Sequence, residues 1–207
     1  KREITTQTPI DERPDTEEMS VEQLRAEYDT FDVAALSSDH DAERWAKVQR
    51  SVSGGGAVAL IGNRGTGKTQ LAVDAGRDMI VTSQHSVRYV KARMLGMAVR
   101  QHSFAAANRD ELAAIERWAK PHLLILDDLH EIADDREWER STLTLILDLR
   151  YDHARPTILI ANTTPEKFPS MAGPSICDRM REGGGMIVFG GPSLRGKRDG
   201  DDDQRTA

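Results

Sequence analysis

Four short apolar runs and one alternating run divide the chain, and each of them predicts a β-strand. The apolar runs contain four or five residues, which is the length of a strand buried on both faces. Longer stretches with apolar residues at helical spacing separate the runs. The predicted strands span residues 57–61, 86–90, 123–126, 157–161 and 186–189. This alternation of strands and helices predicts an α/β fold, in which a parallel sheet carries helices on both faces.

Amphipathic helices are predicted between the strands. In residues 109–120, for example, Leu112, Ile115 and Trp118 lie at helical spacing and are expected to face the core. Residues 165–175 are rich in proline and glycine and predict a loop. Besides the helix after the first strand, the predicted helices span residues 39–52, 91–102, 109–120, 134–153 and 176–181.

Polar and charged segments flank the patterned region. The pattern predicts a flexible arm with short helices over residues 1–44, a folded core over 45–190 and a disordered tail over 191–207. Residues 20–23 match a capping box, which predicts the start of a helix within the arm.

The stretch from Gly62 to Thr69 matches G-x-x-x-x-G-K-[ST] and lies between a predicted strand and a predicted helix. Its glycines let the backbone turn tightly, so that several N–H groups can surround a phosphate. Lys68 offers a positive charge to the β- and γ-phosphates, and Thr69 offers a hydroxyl to Mg²⁺. A chance match in a glycine-rich turn is the alternative, which the flanking strand and helix disfavour. The predicted nucleotide-binding residues are Gly62, Asn63, Arg64, Gly65, Thr66, Gly67, Lys68, Thr69 and Gln70.

Polar side chains follow the third and fourth predicted strands. Asp127 is expected to hold Mg²⁺, directly or through water, and Asp128 to act as the general base, with Glu131 as an alternative base. Asn162 follows the next strand and is expected to reach the γ-phosphate region. An acidic turn and a turn asparagine would give the same patterns in isolation. The P-loop upstream favours the catalytic interpretation of both.

Composition restricts the environment and the partners. The single cysteine, Cys177, allows no internal disulfide, and no apolar run is long enough to span a membrane, so a cytoplasmic protein is expected. The net charge of −6 argues against a uniformly basic surface for nucleic acid. A local basic patch of Arg88, Lys91, Arg93 and Arg100 is one interpretation of these residues, and a solvated helix face is the simpler interpretation of each residue alone.

Four segments follow one another along the chain: GNRGTGKTQLA, LLILDDLHE, PTILIANTTPEKF and DRMREGGG. Over residues 45–190 the chain resembles the AAA+ ATPases of the DnaC/IstB type, which include helicase loaders and transposon helper ATPases. The resemblance implies a P-loop NTPase fold with an AAA+ core and without a full C-terminal lid domain. It also implies ATP and Mg²⁺ as cofactors, and as partners a replicative helicase, single-stranded DNA and further copies of the chain in a ring or spiral.

The resemblance also implies roles for single residues. Asn162 matches the sensor-1 position, and Arg179 matches the arginine finger, which acts in the site of a neighbouring subunit; Arg181 is the nearby alternative. Asp128 stands where many AAA+ proteins have glutamate, so slow hydrolysis is compatible with the sequence. Without a full lid, no sensor-2 arginine is expected, and Arg195 and Arg198 are poor candidates for one.

Three other functions share these motifs. A transposition helper ATPase would act on DNA with a transposase in place of a helicase. A small-molecule kinase would need an acceptor pocket and a lid with arginines, for which the sequence shows no pattern. An adaptor that binds ATP and barely hydrolyses it is compatible with Asp128.

Overall fold

The sheet predicted from the apolar runs is present in the computed structural model, which describes residues 39–105, 111–129 and 137–194. Its order is β2-β3-β4-β1-β5, and every neighbouring pair is parallel. The carboxyl ends of all five strands therefore lie on one side, here called the carboxyl edge, and the amino ends on the opposite side, the amino edge. The strands are β1 (Ala57–Gly62), β2 (Val87–Lys91), β3 (Leu123–Asp127), β4 (Thr157–Ala161) and β5 (Gly185–Phe189).

Helices alternate with these strands, as the hydrophobic pattern predicted. Within the described residues they are α1 (Asp39–Ser53), α2 (Lys68–Ser83), α3 (Ala92–Ala105), α4 (Glu111–Ala119), α5 (Glu137–Asp152), α6 (Phe168–Ala172) and α7 (Pro174–Gly183).

Both faces of the sheet are covered because successive strand side chains point to opposite faces and are apolar on each. Val58 and Leu60 of β1 pack with residues of α1 and α2. Ala59 and Ile61 pack on the other face, where α3, α4, α5, α6 and α7 contribute buried residues. The predicted α/β fold with helices on both faces is confirmed, and no helical domain follows β5 within the described residues.

Two details differ from the hydrophobic pattern. The segment predicted as a loop contains α6, which buries Phe168 completely, and α7 begins at Pro174. Proline is compatible with a first helical turn because no hydrogen bond requires its missing N–H there.

Leu112 is 56% exposed, whereas Ile115 and Trp118 are buried. Helical spacing thus identified the apolar stripe but not how far along α4 the burial extends.

Arg150 is a structural residue that the pattern did not reveal. Its side chain is 1% exposed and donates hydrogen bonds to Thr157 Oγ1 and to backbone carbonyl oxygens at the amino edge. Burial, followed by the charge of Arg155, lowers the pKa of Arg150 to about 9, so the guanidinium is still protonated at neutral pH. Its carbonyl acceptors belong to Ala119, Pro121, His122 and Pro156. Arg150 therefore ties the ends of α4 and α5 to the starts of β3 and β4.

The predicted capping-box helix at residues 20–23 and the part of the predicted tail beyond residue 194 lie outside the described residues. None of the described helices is long and apolar enough to cross a membrane.

Candidate active site

The P-loop connects β1 to α2 at the carboxyl edge. Gly62 has φ 141, and a Cβ there would lie 2.1 Å from the carbonyl oxygen of Phe189, so a larger residue would push β5 away from β1. Gly67 has φ 90 and caps α2 in the left-handed conformation, which favours glycine. The loop therefore places its backbone N–H groups at the N-terminus of α2, where the helix dipole favours an anion.

Lys68 lies against this loop and is only 4% exposed. Its Nζ donates to the carbonyl oxygens of Asn63 at 2.6 Å and Gly62 at 3.0 Å, and lies 3.4 Å from Thr66 Oγ1. Thr66 in turn donates to the Asn63 carbonyl oxygen at 2.8 Å. The ammonium group is thus held beside the anion-binding backbone. Of the remaining predicted binding residues, Asn63 and Arg64 are exposed, while Gly65, Thr69 and Gln70 are half-buried.

Asp127 ends β3 directly beside the first turn of α2. Its Oδ2 accepts hydrogen bonds from Thr69 Oγ1 at 2.9 Å and from Tyr89 Oη at 2.8 Å. The two residues predicted to hold Mg²⁺ are therefore in contact, although 58 positions separate them in sequence. A hydroxyl and a carboxylate are hard oxygen donors, and Mg²⁺ is usually held by one or two such groups together with phosphate oxygens and water. This donor set fits Mg²⁺.

Tyr89 is a site residue that the sequence did not reveal. It lies on β2, and the parallel register pairs it with Ile125, two positions before Asp127. Its hydroxyl fixes the orientation of the Asp127 carboxylate. The alternation in residues 86–90 predicted a strand, but neither the neighbour of that strand nor its register could be read from it.

Asp128 has a backbone conformation that differs from the strand before it. Its φ is 53, in the left-handed region, and its N–H donates to Asp127 Oδ1 at 2.7 Å. Aspartate tolerates this conformation better than most residues. The Asp128 carboxylate lies 3.5 Å from the ammonium of Lys91 at the end of β2. The turn thus separates the two acids, one facing Thr69 and the other facing Lys91.

Asn162 immediately follows β4, which lies between β1 and β3 in the sheet. The register pairs Ala161 with Ile61, so Asn162 lies at the same edge as the P-loop. The structure therefore brings Lys68, Thr69, Asp127, Asp128 and Asn162 to one edge.

Arg179 is not part of this group. It lines a small cavity together with Gly55, Ala57 and Thr157, which lie at the amino edge. Since a strand rises about 3.3 Å per residue, the two ends of β1 lie roughly 16 Å apart. Arg181, the alternative finger, lies two residues after Arg179 on α7; its side chain is 75% exposed and pairs with Asp178. The alternative base Glu131 lies outside the described residues.

One residue of the predicted basic patch is buried in the structure. Arg88 is only 4% exposed, stacks 4.7 Å from the ring of Trp118 and donates to the Arg117 carbonyl oxygen, so it cannot belong to a nucleic-acid surface. Arg93 and Arg100 are exposed on α3, where Arg100 stacks on Trp138 of α5.

The residues that follow β5 also contact the P-loop, because the Leu194 N–H donates to the Gly65 carbonyl oxygen at 2.7 Å.

Comparison with known proteins identifies relatives of this chain. The family model described as IstB-like ATP binding protein matches residues 25–199. The replicative helicase loader DnaC of Escherichia coli (strain K12) is 23% identical over 137 residues, which cover 66% of this chain and 55% of that protein. The chain thus spans about half the length of the curated relatives it matches.

Solved structures show the same fold at low sequence identity. The crystal structure of the DnaC helicase loader has a TM-score of 0.61 at 18% identity, with 79% of this chain and 94% of that chain covered. AMPPCP-bound DnaA from Aquifex aeolicus has a TM-score of 0.61 at 20% identity, with 74% and 48% covered. The shared fold is that of the AAA+ core.

Proposed function

Because this chain belongs to the family of IstB-like ATP-binding proteins, we propose that it hydrolyses ATP between subunits and loads a replicative helicase onto DNA. The observation that carries the proposal is the assembly of Lys68, Thr69, Asp127 and Asp128 around one anion-binding loop. The similarity to DnaC supports the helicase as the partner.

The P-loop would bind the phosphates through its backbone N–H groups and Lys68. Thr69 and Asp127 would hold Mg²⁺, which when bound supplies positive charge to the β- and γ-phosphate oxygens. Tyr89 keeps the Asp127 carboxylate turned toward Thr69 through its 2.8 Å hydrogen bond. These residues bind and orient the phosphates.

Asp128 would accept a proton from the water that attacks the γ-phosphate, giving ADP and phosphate. Its ion pair with Lys91 restrains the carboxylate at the carboxyl edge. Asn162, at the end of the adjacent strand, would position this water and contact the γ-phosphate.

The location of Arg179 supports hydrolysis between subunits. A guanidinium at the amino edge cannot contact a nucleotide bound at the carboxyl edge of the same chain, because the sheet separates them by roughly 16 Å. It can contact the nucleotide of a second copy, to which it would offer a bidentate positive charge. The chain would therefore assemble into a ring or spiral.

Single-stranded DNA is the proposed ligand of the exposed side of α3. Arg93 and Arg100 lie on this side with Met94 and Met97, which are 44% and 60% exposed. Arginines supply the salt-dependent attraction to phosphates that non-specific DNA binding requires.

The test is ATP turnover with and without single-stranded DNA over a range of protein concentrations. We expect turnover to rise more than linearly with protein and to increase with DNA. Turnover that is linear in protein and independent of DNA would instead favour a small-molecule kinase. Nucleotide binding without turnover under any condition would favour an adaptor.

The alternative partner is a transposase. It is favoured by the family match, which extends over residues 25–199 and is described by the IstB name. Capture of purified replicative helicase by the ATP-loaded chain distinguishes the two, since a transposition helper would not retain the helicase.

A further inference from the structure

Several neighbouring side chains hold the side chain of Arg179. Its side chain is 22% exposed, and its Nη1 donates to Asp148 of α5 and to Ser175 Oγ, the latter at 2.8 Å. The ring of Tyr151 lies under the guanidinium, with 5.2 Å between Cζ and the ring centroid. The Tyr151 hydroxyl donates to the carboxylate of Glu182 on α7, which fixes the ring.

These contacts occupy one side of the guanidinium. Within the part of the chain that the structure describes, Nε and Nη2 of Arg179 have no hydrogen-bond partner, and neither is an enclosed atom. The Nε–Nη2 edge is one of the edges through which arginine binds a phosphate with two parallel hydrogen bonds. The cluster thus holds the side chain and leaves a binding edge open.

The neighbouring surface leaves room for a second molecule. An open depression of about 540 Å³ runs along α5 next to the cluster. Asp148 lines it together with Glu137, Arg140, Ser141, Thr144 and Leu145.

We propose that Asp148 and Tyr151 are positioning residues for Arg179, which hold its guanidinium so that the Nε–Nη2 edge meets the nucleotide of a neighbouring subunit. This inference rests on the proposed function of Arg179 as a finger in trans. A free arginine side chain loses considerable rotamer entropy when it is fixed in one geometry. The cluster removes this loss from the catalytic step because the side chain is ordered before the subunits meet.

Asp148→Asn tests the inference because it removes the charge while preserving the shape. At saturating ATP, turnover of the full chain is measured over a range of protein concentrations, giving a maximal rate and a concentration for half-maximal turnover. We expect the maximal rate to fall about tenfold, with the half-maximal concentration and the ATP affinity unchanged. Tyr151→Leu should lower the same maximal rate, whereas Tyr151→Phe should retain most of it.

Asp178→Asn is the matched control, since it removes an equal charge next to Arg179 from a residue that pairs with Arg181. Its maximal rate should equal that of the unmodified chain. In an Arg179→Ala background, Asp148→Asn should cause no further decrease, because its effect passes through Arg179. A structural role would lower the rate in both backgrounds.

The outcomes separate the inference from the proposed function. If Arg179→Ala leaves assembly-dependent turnover unchanged, the finger assignment is wrong and the inference is lost with it. If Arg179→Ala lowers turnover but Asp148→Asn and Tyr151→Leu do not, only the inference is wrong. Faster turnover of Asp148→Asn would also overturn the inference, because Asp148 would then hold the guanidinium away from the nucleotide.

Discussion

Lys68 and Arg150 are buried cations at opposite edges of one sheet, and their surroundings differ. Arg150 donates to five protein acceptors, four of them backbone carbonyl oxygens at the starts of strands or the ends of helices. Lys68 begins α2 and donates to carbonyl oxygens of the adjoining P-loop, so protein acceptors use its donors as well. The difference lies in what surrounds each cation. Arg150 joins acceptors from separate elements and is structural, whereas Lys68 lies beside the backbone N–H groups of the P-loop, which suit an anion.

Removal of Arg150 should have the largest effect. Arg150→Met keeps similar volume but leaves the acceptors of the guanidinium without a donor, so the free energy of unfolding should fall by about 3–5 kcal/mol. Chemical denaturation with a two-state fit measures this. Arg50→Met, at an exposed site in the last turn of α1, is the control and should change stability by less than about 0.5 kcal/mol. Equal effects of the two substitutions would refute the structural role.

Lys68→Ala should show the opposite pattern. ATP affinity should fall by about 3 kcal/mol, roughly 150-fold, because the phosphates lose their cation. Stability without nucleotide should change much less than in Arg150→Met. Fluorescent nucleotide titration and thermal unfolding on the same sample provide both quantities. Tight nucleotide binding by Lys68→Ala would contradict the P-loop assignment.

Asp128→Asn separates nucleotide binding from chemistry at the carboxyl edge. Nucleotide affinity should be retained, while turnover should fall about 100-fold or more because the general base is lost. Single-turnover hydrolysis measures the chemical step. Turnover that survives in this variant would show that another group, such as Glu131, is the base.

Asp74 on α2 should give the smallest effect, and one that depends on pH. It is 3% exposed, and both carboxylate oxygens are enclosed. Burial, opposed by Gln70 and Arg77, raises the pKa of Asp74 from 3.8 to about 6. The folded state therefore holds this proton more tightly than the unfolded state, and stability is lost as pH rises from about 4 to about 6.

Asp74→Asn should consequently increase the free energy of unfolding by about 1–3 kcal/mol near pH 8, with little effect below about pH 4. Denaturation curves across this pH range provide the measurement. Asp152→Asn at an exposed position of α5 is the control. A stability difference that does not vary with pH would show that the carboxyl group titrates normally.

The carboxyl edge was largely predictable because its residues lie in or next to local patterns. A glycine-rich loop between strand and helix, and polar residues directly after buried strands, must meet at one edge when the sheet is parallel. Contacts between distant elements were not predictable. Tyr89 reaches Asp127 only through the β2–β3 register, and Arg88, predicted as a possible surface residue, is buried against Trp118.

The alternation of strands and helices, the P-loop and the two acids that follow a buried strand could be predicted from the sequence, since each depends on a few adjacent residues. The burial and hydrogen bonds of Arg150 at the amino edge, and the contacts of Asp148 and Tyr151 with Arg179, emerge only once the chain is folded. Arginine has the same local pattern on a solvated helix face, in a buried hydrogen-bond network and in a binding site. Its role is set by the acceptors that folding brings to it from other parts of the chain.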